Sequence, residues 1–317
     1  MKGKESDMKY AIISDIHGNN FALEAVLADA KAQGVDKYLF LGDYGGGSPQ
    51  ADAVADTIQN TNPAVVIAGN GERYFDAIRG KKFSELTAQQ MKPTYWTYNS
   101  LSPQNLDYFA NLPETTTIAD GEFNINLAHS MKLFFRTPRV EPFHSLEFRI
   151  RMRQEPFTHE EYLHFARETL LSTPGVIDEL HGMPKGIYLF GHNHLQFHME
   201  YEGRIFINPG GCGQPLDCDA RAPYTILTID NNGWHVEERR VEYDVNLAIR
   251  ELDLCGFTEY APVWSQVIKL SLQTGSDYFE SFVMHILETA KRMGEHTQPV
   301  SNTAWDAAIK TWDPKKA

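Results

Sequence analysis

Apolar residues along this chain fall into two rhythms. Short runs rich in apolar side chains predict strands, Tyr10–Ile13 with the length and branched content of a buried one, then Lys37–Leu41, Ala64–Ala68, Phe123–Ala128, Gly186–Phe190 and Arg204–Ile207. Between the first of these the spacing turns helical. Leu23, Val26, Leu27 and Ala30 share one stripe, with Asn19 or Asn20 as N-cap and Gly34 as the stop. Pro49–Asn60 predicts a second helix. Tyr224–Ile229 and Trp234–Tyr243 flank Asn231-Asn232-Gly233 and predict a hairpin. From Val245 onward the period is helical, with amphipathic stretches near Val263–Leu272 and Tyr278–Met293. Strands alternating with helices place the chain in the α/β class.

Two stretches interrupt the pattern. Residues 73–122 read as helical and connecting, with Tyr95, Trp96, Tyr98, Tyr108 and Phe109 among punctuating prolines. They predict an insertion whose aromatics pack on the core, the alternative being a lid that stacks on a ring. Residues 131–180 are polar and carry Arg136, Arg139, Arg149, Arg151 and Arg153, either a solvated face or a phosphate clamp. Residues 1–7 read as a short disordered leader. No internal repeat or low-complexity segment appears.

Composition narrows the function classes. A formal net charge of −13 argues against a surface that coats nucleic acid or anionic lipid, so positive charge for a phosphorylated substrate must be local. Cys212, Cys218 and Cys255 lack CxxC spacing and suggest neither a disulfide framework nor a zinc ribbon. No stretch reads as a signal h-region or a bilayer span, and the expected compartment is the cytoplasm.

The chemistry gathers where the apolar runs stop. Asp15 and His17 follow the first, Asp43 the second, Asn70 the third, His129 the fourth, and His192 and His194 the fifth. Period-two alternation predicts that Asp15 and His17 point to the same side. Strand ends in open α/β sheets face the ligand crevice. Buried carboxylates and imidazoles in one crevice cost several kcal/mol each unless cations neutralise them. Seven donors are too many for one ion, so two divalent transition-metal ions are expected. The mixed His, carboxylate and amide set suits Mn, Fe or Zn better than Ca or Mg. The turn Asn208-Pro-Gly-Gly offers backbone N–H groups that could face an anion.

The ordered set D-x-H, G-D, G-N-x-E, a lone His after a strand, and G-H-x-H resembles the calcineurin-like metallophosphoesterase superfamily, from about residue 8 to 244. The Asn208–Pro215 segment is similar to its bacterial phosphodiesterase-like branch. The resemblance implies a four-layer α/β/β/α sandwich of two mixed sheets, with insertions at about 73–122 and 131–180. Residues 245–317 lie outside it as a helical C-terminal extension, a possible contact with a second copy. It also implies one metal held by Asp15, His17, Asp43 and His194 and the other by Asp43, Asn70, His129 and His192. Asp43 would be the bridge, and Asp43, Asn70 and His129 would take part directly in catalysis. The implied activity is phosphoester hydrolysis by a metal-bridging hydroxide, on a small phosphorylated molecule rather than a nucleic-acid polymer or a membrane.

The chain departs from the family pattern at Gly71, where many members carry the His that protonates the leaving oxygen. A missing acid hurts least when the leaving group is a phosphate or an aryl oxide, so phosphoanhydrides and aryl esters are the expected preference. His198 or His181 are candidate substitutes, each with a structural reading too. Gly211 and Leu216 replace a Ser and an Arg common in relatives, which makes Arg73 and Arg221 the candidate phosphate contacts. Cys212 reads as either an oxidation-sensitive thiol or a buried inert one. The alternatives to a phosphodiesterase are a phosphomonoesterase or protein phosphatase, and a non-catalytic metal-binding scaffold.

Overall fold

A computed structural model describes residues 7–81, 89–136, 158–296 and 300–314. The predicted leader (residues 1–6 of it) and Arg139, Arg149, Arg151 and Arg153 lie outside these.

Ten strands form two five-stranded mixed sheets among the described residues. The first has the order β10-β9-β1-β2-β3, from β1 (Met8–Ile13), β2 (Lys37–Phe40), β3 (Ala64–Val66), β9 (Ala222–Asp230) and β10 (Gly233–Val241). The second has the order β4-β5-β6-β8-β7, from β4 (Thr115–Asp120), β5 (Phe123–Ala128), β6 (Gly186–Leu189), β7 (Gln196–Tyr201) and β8 (Arg204–Pro209). Parallel pairing of β1, β2 and β3, and of β5, β6 and β8, sends the C-terminal ends of each trio to one edge.

Period two decides which side chains meet between the sheets. Tyr10 and Ile12 of β1, Ile125 and Leu127 of β5, Ile187 and Leu189 of β6, and Ile205 and Ile207 of β8 form the shared core. On β1, β6 and β8 their neighbours face outward and are covered by helices. Ala11 and Ile13 meet Leu23 and Val26 of α1 (Asn20–Ala32) and Val54 and Ile58 of α2 (Ala51–Asn60). On the other sheet Tyr188, Phe190 and Phe206 meet Leu170 and Leu180, which lie on α6 (His159–Ser172) and α7 (Val176–Gly182). Double coverage is why these strands read as continuous apolar runs. The result is the expected α/β/β/α sandwich.

Asn19, not Asn20, caps α1, accepting the Ala22 N–H at 3.2 Å. α3 (Asn70–Ile78), α4 (Lys92–Ser100) and α5 (Pro103–Ala110) fill most of the first insertion, which ends in β4. Its aromatics do pack: Phe109 is buried against Tyr44 and Phe75, and Trp96 stacks edge-on to Phe257 at 5.6 Å. The C-terminal extension holds α8 (Val245–Leu254), α9 (Phe257–Tyr260), α10 (Pro262–Thr274), α11 (Tyr278–Arg292) and α12 (Asn302–Thr311). It has a core of its own in Val267, Phe282, Ile286, Trp305 and Ala308. None of the described helices is long and apolar enough to cross a membrane, and all three cysteines are free thiols.

Candidate metal centre

The expected residues converge beyond the ends of β1, β2, β5 and β6, but not for the reason that alternation supplied. β1 ends at Ile13, and both Asp15 (φ 53°) and His17 (φ 48°) lie in left-handed backbone beyond it. What aims them is pairing between two loops. Asp15 N–H donates to Gly42 O at 3.0 Å, His17 N–H to Asp43 O at 3.0 Å, and Gly18 N–H to Tyr44 O at 2.8 Å. The ladder of β1 and β2 thus continues as irregular backbone and lays Asp15 and His17 beside Asp43.

Each carboxylate has one oxygen tied to the backbone and one turned into the cluster. Asp15 Oδ2 accepts the His192 N–H at 2.9 Å, while the buried Oδ1 has no hydrogen-bond partner. That orphaned oxygen lies 3.4 Å from His194 Nε2, 3.9 Å from His129 Nε2 and 4.0 Å from His17 Nε2. Asp43 Oδ1 accepts the Gly71 N–H at 2.7 Å, and its Oδ2 lies 3.4 Å from His129 Nε2 and 3.8 Å from His17 Nε2. The close approach has a steric requirement: a Cβ on Gly69 would stand 2.2 Å from Asp43 Oδ1.

Three histidines are oriented through their far nitrogens. Nδ1 of His17 faces Gly45 O at 3.1 Å, that of His129 faces Leu41 O at 2.8 Å, and that of His194 faces Gln214 O at 2.6 Å. A carbonyl only accepts, so each Nδ1 carries the hydrogen and Nε2 is presented to the cluster. His17 Nε2 and His194 Nε2 face each other at 3.2 Å, a gap that a shared proton or a cation beside them would fill.

The charges say the same. Burial alone would raise the Asp43 carboxyl, but the charge of His129 prevails and holds it well below the carboxylate range. Burial alone would lower His129, but the Asp43 charge and hydrogen bond push it up to about 10. A proton on His129 then does for that cluster what a divalent cation would do. Asp15, fully buried, is raised chiefly by burial.

Two groups with metal-ligand spacing result: Asp15, His17 and His194, and Asp15, Asp43 and His129. The two groups share Asp15, while Asp43, the expected bridge, also reaches a histidine of each, His129 at 3.4 Å and His17 at 3.8 Å. Asp15 follows β1, which lies centrally in its sheet, and reaches the histidines of both groups. Asn70 Oδ1 lies 3.1 Å from His129 Nε2, and the His192 ring stands edge-on to His129 at 5.2 Å.

Other expectations are placed elsewhere. Arg73 bonds Glu114 at 3.1 Å and Leu112 O at 2.6 Å, and Arg221 pairs with Asp219 at 2.6 Å. His198 pairs with Glu238 at 2.7 Å and His181 with Glu202 at 3.5 Å, so neither joins the cluster. The N–H groups of Gly210, Cys212, Gly213 and Gln214 all find acceptors within the chain, those of Cys212 and Gly213 on Ser14 O and Asp15 O. Cys212 is fully buried, and burial first, then Asp15, pushes its thiol up, in keeping with the buried, unreactive reading. Glu72 is a residue whose role the sequence left unread. Wholly buried, it accepts the N–H of Asp43 (3.0 Å), Tyr44 (2.8 Å) and Gly69 (2.8 Å).

Known proteins resemble this chain to measurable degrees. The protein MJ0912 of Methanocaldococcus jannaschii, described as uncharacterized, is 26% identical over 257 residues, 76% of this chain and 90% of its own. A metallophosphoesterase from Sphaerobacter thermophilus superposes with a TM-score of 0.59 at 24% identity, over 85% of this chain and 100% of its own. Hypothetical protein PH1004 from Pyrococcus horikoshii gives 0.57 at 18% identity, over 81% and 97%. At such identities the two structures speak for the fold alone. A family model described as the calcineurin-like phosphoesterase superfamily domain matches residues 8–232, which contain every residue of the cluster. On that match, this chain belongs to the calcineurin-like phosphoesterase superfamily.

Proposed function

We propose that the protein is a dinuclear-metal-dependent phosphoesterase, and specifically a phosphodiesterase acting on a small nucleotide-like or phosphoanhydride substrate. The facing Nε2 atoms of His17 and His194, beside an orphaned carboxylate oxygen, carry this reading. Asp15, His17, Asp43 and His194 would hold one divalent ion, and Asp43, Asn70, His129 and His192 the other, with Mn, Fe or Zn suited to the donor set. When bound, such ions lower the pKa of water toward neutrality and neutralise phosphoryl oxygens.

The chain itself supplies position. Carbonyls of Gly45, Leu41 and Gln214 hold three imidazoles in one tautomer, and Glu72 fixes the loop that carries Asp43. Gly71 supplies no proton to a leaving oxygen. Leaving groups stable as anions, phosphates and aryl oxides, are therefore the ones this site serves.

Hydrolysis of bis-(p-nitrophenyl) phosphate and p-nitrophenyl phosphate by metal-stripped protein, with Mn²⁺ titrated back, tests the reading. Metal-dependent release of nitrophenol from the diester, abolished in Asp43→Asn, is expected. Faster turnover of the monoester would point to a phosphomonoesterase, and silence on both despite bound Mn²⁺ to a scaffold.

A further inference from the structure

Arg136 is the one arginine of the expected phosphate clamp that the described residues include, and its surroundings set it apart. Arg73, Arg79, Arg221 and Arg239 each pair with a carboxylate. Arg136 instead donates its backbone N–H to Glu179 Oε2 at 2.7 Å and an Nη2–H to Gly182 O at 3.1 Å, which anchors it on α7. The rest of its guanidinium has no hydrogen-bond or ion-pair partner among the described residues, and neither has the Lys185 ammonium.

Both cations line one cleft of about 470 Å³, a volume within the range of small-molecule sites. The helices on the second sheet pack on Tyr188 of β6 and Phe206 of β8, whereas Thr117 of β4 and Asn124 of β5 are exposed. The cleft lies at that step in the helical layer. It sits beside the start of β6, while His192 and His194 follow the end of that strand. The polar groups that line it from the sheet bond one another: Thr117 Oγ1 donates to Asn126 Oδ1 at 3.0 Å, and Asn126 Nδ2 to Ile187 O at 3.1 Å. What the cleft leaves unspent is positive charge. Phe134 and Tyr188, packed edge to face at 5.1 Å, add aromatic surface to the same lining.

We propose that this cleft is a second ligand site, separate from the metal centre, for a small phosphomonoester whose organic part is a ring. The phosphoryl group pairs with Arg136 and Lys185, and the ring packs against Phe134 and Tyr188. Two cations favour a dianion over a singly charged carboxylate, and the unspent guanidinium N–H groups suit phosphoryl oxygens in particular. A net charge of −13 repels phosphorylated molecules on average, so two unpaired cations in one cleft mark a place where one is admitted. The inference goes beyond phosphoester hydrolysis and does not depend on turnover at the centre.

Non-hydrolysable probes test it. Mn²⁺-loaded wild type and Asp43→Asn, which leaves the cleft untouched, are titrated calorimetrically with phenylphosphonate, methylphosphonate and benzoate. In both proteins phenylphosphonate is expected to fill a site that takes methylphosphonate, which lacks the ring, and benzoate, which carries one charge, about three- to tenfold more weakly. Arg136→Gln and Lys185→Gln each weaken phenylphosphonate at that site by about tenfold or more, and Lys185→Arg keeps it. Far-UV circular dichroism shows that the variants are folded. Phenylphosphonate affinity unchanged in Arg136→Gln and Lys185→Gln, or a site that is lost in Asp43→Asn, overturns the second site and leaves the phosphoesterase reading standing. Benzoate bound as tightly as phenylphosphonate overturns the dianionic class. Cleft binding in a wild type that takes up no Mn²⁺ in equilibrium dialysis supports the second site and overturns the phosphoesterase reading instead.

Discussion

Glu72 Oε2 accepts the backbone N–H of Asp43 at 3.0 Å, so one buried carboxylate fixes the loop that presents another. The same side chain accepts from Tyr44 and Gly69, which uses both oxygens and ties α3 to the loop after β2. A glutamine of the same shape must turn an NH₂ group toward at least one of those N–H donors. Glu72→Gln is expected to weaken Mn²⁺ uptake by about 10- to 100-fold, the range for groups that orient metal ligands. Equilibrium dialysis beside far-UV circular dichroism checks this, and unchanged uptake in a folded variant would show that the loop holds itself.

Asp15 Oδ1 is buried without a hydrogen-bond partner, an arrangement that favours the metal-loaded protein over the stripped one. Chelation should lower the melting temperature of the wild type. In Asp15→Asn the chelator should have little effect, and the stripped variant should melt no lower than the stripped wild type, because a neutral amide is cheaper to bury there than an unneutralised carboxylate. Differential scanning calorimetry with and without EDTA reads both comparisons. Equal chelator effects in the two proteins would contradict the assignment of Asp15.

Gly71 stands where a general acid is missing, and its N–H is committed to Asp43 Oδ1. A Cβ at this position would lie 3.1 Å from that oxygen and 3.6 Å from Gly45 O, tight but open to small adjustment. Gly71→His is expected to raise hydrolysis of alkyl phosphodiesters by at least about tenfold relative to aryl ones. Metal content is measured alongside, since crowding Asp43 is the competing effect. No change in the alkyl-to-aryl ratio at full metal content sinks the leaving-group argument.

Asp29 gives a pH dependence far from the centre. Hydrogen bonds from Arg239, the largest influence, hold its carboxyl below the usual range against the opposing effect of burial, and Tyr224 donates to it as well at 2.5 Å. A depressed folded pKa contributes stability above the unfolded value, near 4, that disappears as pH falls through the folded value. Asp29→Asn should therefore cost about 1–2 kcal/mol at pH 7. The gap to wild type in urea unfolding should close progressively below about pH 4. A gap independent of pH would mean that the side chain matters by shape alone.

The sequence was most legible where apolar residues mark a strand's buried face. Phe123–Ala128 was read with its observed bounds because Phe123, Ile125 and Leu127 alternate toward the inter-sheet core, although Asn124 on the other face is exposed. β4 was not read: Thr115, Thr117 and Ala119 are exposed, so this edge strand shows no apolar run. β7 was missed for a related reason, with burial fading along it from Gln196 to Tyr201. At the centre, residue types and their order announced the cluster. What holds each type in place was not legible, because the carbonyls of Leu41, Gly45 and Gln214 carry no side-chain identity and Glu72 acts through backbone N–H groups. Arg73 shows the converse, since its partner Glu114 lies 41 residues away in sequence.

Seven non-glycine residues of the described chain have positive φ, and five of them are Asp15, His17, Asp43, His192 and His194. Left-handed backbone disfavours a residue with a Cβ by about 1–2 kcal/mol, less for Asp or His than for bulkier types. Glycine would relax every one of these positions. Selection for heat resistance alone would thus push hardest on the residues that hold the centre together, and a thermostability screen of this chain run without an activity filter should drift toward glycine or asparagine there. The fold's easiest route to robustness runs through the loss of its chemistry.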